Sequence, residues 1–98
     1  MNYSFHPAAE AEHLEQIAFY QSRQQGLGSR YRELFLQTIQ KVCEAPGQYP
    51  VAHSPDIRRV QLHAFPFTIL YRERNAMIQV LAVAHYRRRP GYWLGRVL

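Results

Sequence analysis

The chain has 98 residues, 47% of them hydrophobic and 19% charged, a globular composition that excludes a disordered chain. That length predicts one domain, residues 1–98, whose small core favours a surface groove over a deep, enclosed cofactor pocket. The formal charge of +5 is unevenly placed: four Lys/Arg stand against six Asp/Glu from Met1 to Ile57, but eight Arg against the single acid Glu73 from Arg58 to Leu98.

In chain order, Tyr3-Ser4-Phe5 alternates apolar and polar residues and predicts a short strand. His6-Pro7 ends it, and Pro7 suits the first turn of a helix. Glu10 and Glu12 lie near that helix start, where negative charge is favourable. Ala11, Leu14, Ile17 and Ala18 form a helical stripe, widened by Phe19 and Tyr20. Gly26-Leu27-Gly28 breaks the helix, and a second begins at Gly28-Ser29 with either residue as N-cap. Its pattern is the clearest in the chain. Tyr31, Leu34, Phe35, Thr38, Ile39 and Val42 trace one continuous face, and Ala45-Pro46-Gly47 stops it. The two helices form an antiparallel hairpin.

A polar stretch rich in turn formers, Gln48 to Asp56, follows, and the period then switches to two. Arg59, Gln61 and His63 alternate with Val60, Leu62 and Ala64. Phe65-Pro66 is a break, Phe67 to Arg72 is the next strand, and Glu73-Arg74-Asn75 connects it tightly to a third. Met77 to His85, apolar apart from Gln79, reads as a central strand. Pro90-Gly91 turns the chain into a short aromatic tail. The fold class expected is α+β: an N-terminal strand, a helical hairpin and a three-strand antiparallel meander. These give a four-stranded sheet with the helices on one face.

The basic residues of the second half are all Arg, which favours planar bidentate contact with phosphate or carboxylate. An anionic partner is therefore expected, either nucleic acid or an acidic protein segment. Arg87, Arg88 and Arg89 cannot all point one way, so they divide between partner contact and packing. Arg58 and Arg59 begin the first meander strand, where an exposed edge or groove would suit an incoming extended segment. Of Tyr92 and Trp93, one is expected to anchor the tail, with Trp93 the core residue, while the other is free to serve as a binding hot spot. Cys43, the lone cysteine, excludes an intrachain disulfide and a thiolate cluster, and reads as a buried, inert thiol. His6, His13 and His53 lack ligand-like spacing and read as surface or capping residues, leaving no zinc site. His85 follows the central strand beside three Arg, where an acid–base role and a structural hydrogen bond both remain open. No leader-like segment or membrane-length apolar run is evident, so a cytoplasmic location is expected.

Four features together resemble one family. Phe5-His6-Pro7-Ala8-Ala9 opens the first helix, and Leu27-Gly28 with Tyr31 opens the second. Pro46-Gly47-Gln48-Tyr49-Pro50 precedes Ile57-Arg58-Arg59-Val60 and Phe65-Pro66-Phe67. Ile78 to Ala84 is closed by His85-Tyr86-Arg87-Arg88-Arg89-Pro90-Gly91-Tyr92-Trp93. This ordered set resembles the ParE branch of the RelE/ParE toxin superfamily over nearly the whole chain. The resemblance implies a plasmid-stabilisation or type II toxin, neutralised by a cognate antitoxin whose extended C-terminal segment wraps it. Operator DNA is then bound only through the antitoxin, and no cofactor or metal is implied.

Two activities divide that superfamily. ParE-like members poison DNA gyrase and are not enzymes in their own right, whereas RelE-like members cleave mRNA on the ribosome without a metal. On the RelE pattern, Arg59 meets a functional lysine position, Tyr92 the C-terminal tyrosine, and Arg88 lies near the last arginine. Two further cationic positions are Gln61 and Thr68, so that set is incomplete, although His63 and His85 could move protons in another arrangement. The resemblance thus implies a binding toxin with Arg58, Arg59, Arg87, Arg88, Arg89, Tyr92 and Trp93 at its partner surface. The alternatives are a ribosome-dependent nuclease using Arg59, His85, Arg88 and Tyr92, and an inactive relative that binds only antitoxin.

Overall fold

The computed structural model describes residues 1–97. Strand β1 (Asn2–Phe5) passes through His6 into helix α1 (Pro7–Arg23). His6 has extended backbone and its Nδ1 accepts the Ala8 N–H at 3.0 Å. It is therefore the N-cap, and Pro7 occupies the first-turn position that needs no amide proton. Helix α2 (Leu27–Glu44) packs against α1. It starts earlier than the sequence suggests: the N-cap is Gly26 at φ +87°, and Gly28 lies in the first turn. The Gln21 side chain accepts the N–H groups of Gly26 and Gly28 at 3.2 and 3.3 Å, doing work that the capping glycine cannot. Gly28 is fixed by proximity, because a Cβ there would lie 2.6 Å from the Ile17 carbonyl oxygen.

Tyr31, Phe35, Ile39 and Val42 are fully buried along α2, as its periodicity predicts. Helix α1 differs from its predicted stripe. Ala9 and His13 are buried with Ile17 and Tyr20 packed beside them, while Ala11, Leu14, Ala18 and Phe19 are exposed. The inward face is displaced because His13 takes an apolar position. Its ring packs against Phe35 at 4.2 Å and Phe5 at 5.2 Å between centroids, and its Nδ1 meets the Tyr31 hydroxyl at 3.3 Å. The expectation of a surface or capping His13 is thereby corrected.

After a 3₁₀ turn at Pro46–Gln48 come β2 (Val51–His53), β3 (Ile57–Leu62), β4 (Phe67–Arg74) and β5 (Met77–His85). The sheet has five strands in the order β1-β5-β4-β3-β2, with β1 parallel to β5 and the other neighbours antiparallel. The additional strand is β2, within the stretch expected to be an irregular connection. All three of its residues are exposed, so backbone pairing with β3 holds it and no side-chain alternation announces it. The β4–β5 hairpin closes through Asn75 and Ala76, both at positive φ.

Apolar residues fill both faces of the sheet. One core joins α1 and α2 to Val60, Leu62, Phe67, Ile69, Tyr71, Ile78, Val80 and Val83. The second lies on the opposite face, where Trp93 covers Ile57, Leu70, Leu81, Ala82 and Ala84. The helices thus occupy one face and the carboxy-terminal segment, ending in a 3₁₀ turn at Leu94–Val97, packs on the other.

Candidate functional site

Strand β1 stops before it has covered the edge of β5. The last backbone bond of that pairing runs from the His6 N–H to the Val80 carbonyl at 2.8 Å. Beyond it, side chains take over. The Val83 N–H donates to Glu12 Oε1 at 3.0 Å, and Arg96 Nη1 donates to the Leu81 carbonyl at 2.9 Å. Arg96 also grips the Glu12 carboxylate with both terminal nitrogens, Nη1 to Oε1 and Nη2 to Oε2, each at 2.9 Å. Tyr92 Oη donates to Glu12 Oε2 at 2.7 Å.

The Glu12 and Arg96 side chains are 15% and 17% exposed, so solvent screens this bidentate pair little. Burial alone pushes the Glu12 carboxyl up, but the hydrogen bonds from Arg96, Tyr92 and Val83 outweigh it and hold the group below its ordinary value. Burial and the bond to Glu12 drive the Tyr92 phenol well above its usual range. These contacts latch the tail to α1 and β5. Sequence reasoning placed Glu12 only as a helix-start charge and did not single out Arg96. The pair is separated by 84 residues, and the only trace was an arginine in an otherwise apolar tail.

The arginines expected at the partner surface divide by role. Arg58 is half-buried and its Nη1 donates to the Tyr49 carbonyl, tying β3 to the segment before β2. Arg59 is exposed. Arg87, Arg88 and Arg89 are all exposed in the turn after β5, and Arg88 stacks its guanidinium 3.9 Å from the Tyr92 ring centroid. Trp93 is 7% exposed and belongs to the second core, as expected for the anchoring residue. Tyr92 anchors as well, so neither aromatic side chain is left free. His85 accepts the Arg87 N–H through Nδ1 at 3.0 Å and stacks edge-on to Phe67.

The four residues that a nuclease would use line two separate depressions. His85, Arg88 and Tyr92 share one of about 210 Å³ with Glu12, Glu15 and Phe67. Arg59 lines another, about 350 Å³, with Tyr49, Pro50, Val60, Gln61 and His63. That second groove follows an open sheet edge. Arg59 N–H donates to the Pro50 carbonyl at 3.1 Å, and beyond this point, among the described residues, no strand lies on the side of β3 away from β4. By strand alternation, the Arg59 carbonyl and both backbone groups of Gln61 face the open side. An extended segment could add there, beside a guanidinium.

A helical hairpin on one sheet face, with an arginine-bearing tail on the other, is the α+β arrangement expected above. The chain belongs to the family described as "ParE toxin of type II toxin-antitoxin system, parDE", which it matches over residues 3–90. It is a ParE-type toxin. The match ends before Tyr92, Trp93 and Arg96. A chain of the solved structure "Chromosomal ParDE TA system from P. aeruginosa" shares the fold with a TM-score of 0.74 at 16% identity, over 87% of this chain and 95% of that one. No curated protein matches. Among the described residues, no helix is long and apolar enough to cross a membrane.

Proposed function

We propose that this toxin acts in the cytoplasm, as one domain, by binding and inhibiting DNA gyrase without chemistry of its own, and that a cognate antitoxin neutralises it. The observation that carries the reading is the separation of Arg59 from His85, Arg88 and Tyr92. The Tyr92 hydroxyl is also spent on Glu12. Metal-free RNA cleavage needs a base, an acid and phosphate-binding cations around one scissile group. Here the candidate groups lie apart, while Arg59 and Arg87 to Arg89 are exposed for binding. In this reading an acidic, extended antitoxin segment lies along the open edge of β3 with Arg59 as its charge partner. The arginine turn after β5 serves the target.

Expression without antitoxin tests the proposal. Trapped gyrase–DNA cleavage complexes with induced DNA-damage signalling are expected. Intact DNA with codon-positioned mRNA cuts would replace this reading with a ribosome-dependent nuclease. Unaffected growth would reduce the chain to a relative that binds only antitoxin.

A further inference from the structure

The second sheet face holds a basin that neither the latch nor the β3 groove uses. It has a volume of about 440 Å³ and is lined by Ser4, Arg72, Arg74, Asn75, Met77 and Gln79. Three of these form one row across three strands: Ser4 pairs with Gln79, and Gln79 with Arg72, in the sheet register. Arg72 Nε donates to Gln79 Oε1 at 2.9 Å. This single bond fixes the guanidinium plane through its inner nitrogen and leaves the terminal nitrogens for a ligand. It also turns the Gln79 amide so that its NH₂ is the group left over.

Arg74 lies two residues further along β4, on the same side of the strand. One of its terminal nitrogens contacts Asp56 at 2.9 Å, in a pair whose side chains are 50% and 38% exposed. Such a pair is readily exchanged for another anion. Ser4 and Asn75 add a hydroxyl and an amide. Among the described residues, no carboxylate lines the basin itself. Glu73, the only acid of the basic half, lines a different depression with Asp56, Arg58 and Tyr71. The basin therefore offers two guanidinium groups and several neutral donors, with Asp56 on Arg74 as the acid an incoming anion must displace.

We infer that this basin binds the phosphodiester backbone of duplex DNA, independently of sequence. Two residues of a strand advance about 6.8 Å, a spacing at which the two guanidinium groups can reach neighbouring phosphates of one backbone. Among the described residues, Met77 is the one apolar residue lining it. The basin thus lacks the aromatic platform that would stack bases and the pockets that would hold a peptide's side chains. It is separate from the surface assigned to gyrase and antitoxin, so it stands or falls apart from that assignment.

Fluorescence anisotropy of a labelled mixed-sequence duplex, titrated with the purified chain from 50 to 200 mM salt, tests this. Arg72→Gln with Arg74→Gln should weaken binding at least tenfold. The double variant should also flatten the slope of log affinity against log salt by about 1.8, the value for two lost phosphate contacts. Gln79→Glu keeps the acceptor for Arg72 but places a carboxylate in the basin, and should weaken binding comparably while melting like the parent chain. Unchanged affinity and slope in these variants would overturn the inference. So would a loss confined to a labelled polyglutamate probe with DNA binding intact, which would reassign the basin to an acidic protein segment.

Discussion

Lowering the pH should destabilise this toxin through His13. The ring is 7% exposed, and burial, with the positive charge of Arg32 in support, moves its pKa from 6.5 to about 4. The unfolded chain therefore binds a proton near pH 6.5 that the folded chain refuses until about pH 4. The stability from the neutral ring is complete above pH 6.5 and is lost as pH falls between those values. Each pH unit over which the unfolded chain holds that one extra proton costs about 1.36 kcal/mol, so the loss between pH 7.5 and 4.5 comes to about 2.5 kcal/mol. For a urea dependence of ~1–3 kcal/mol per molar, the midpoint should fall by about 0.8–2.5 M. Glu12 contributes little to this window, because its depressed carboxyl gives stability that disappears only below the unfolded value near 4.3. Urea titrations followed by Trp93 fluorescence at the two pH values measure the effect. His13→Phe keeps an aromatic ring against Phe5 and Phe35 but leaves the Tyr31 hydroxyl without its partner, at a constant cost of about 1–3 kcal/mol. Its loss between pH 7.5 and 4.5 should nearly vanish. A variant that loses as much as the parent chain over that interval would refute the assignment to His13.

Three further outcomes follow from the geometry. Glu12→Gln removes the charge that satisfies Arg96, and should cost about 3 kcal/mol in urea unfolding while making the bonds after Arg87 and Arg88 tryptic sites; undiminished stability and protease resistance would show that the latch contributes nothing. Gly28→Ala drives a methyl group into the Ile17 carbonyl and should cost about 1–3 kcal/mol, read as a lower melting temperature, with an unaltered melt arguing against tight helix contact. Arg59→Glu reverses the charge at the β3 groove and should weaken capture of an acidic antitoxin segment about tenfold or more in calorimetry, whereas parent-like affinity would move that docking site elsewhere.

The elements that could be read in the sequence were those whose side chains carry a period. Tyr31, Phe35, Ile39 and Val42 outline the buried face of α2, and Val60 with Leu62 does the same for β3. Strand β2 was invisible because its three side chains are exposed and only its backbone is engaged. The face of α1 was misplaced because Leu14 is 58% exposed while His13 is buried, the reverse of what hydropathy ranks. Charge imbalance draws attention to the arginines, but composition does not separate exposed Arg59 from Arg58 and Arg96, which hold backbone carbonyls. The latch had no local pattern to reveal it, since its members meet only after the sheet has formed.

The divided edge of β5 also constrains the order of folding. The helical hairpin and the β3–β4–β5 meander join neighbours in sequence and close short loops. Strand β1 on β5 and Arg96 on Glu12 join distant parts of the described chain, each closing a long loop that costs more entropy and forms more slowly. During synthesis β1 has no partner until β5 has left the ribosome, and the remainder of that strand stays uncapped until Arg96 follows. The nascent toxin therefore passes through a stage with its hairpins formed and one strand margin bare, and that margin is the place where misassociation between chains would start.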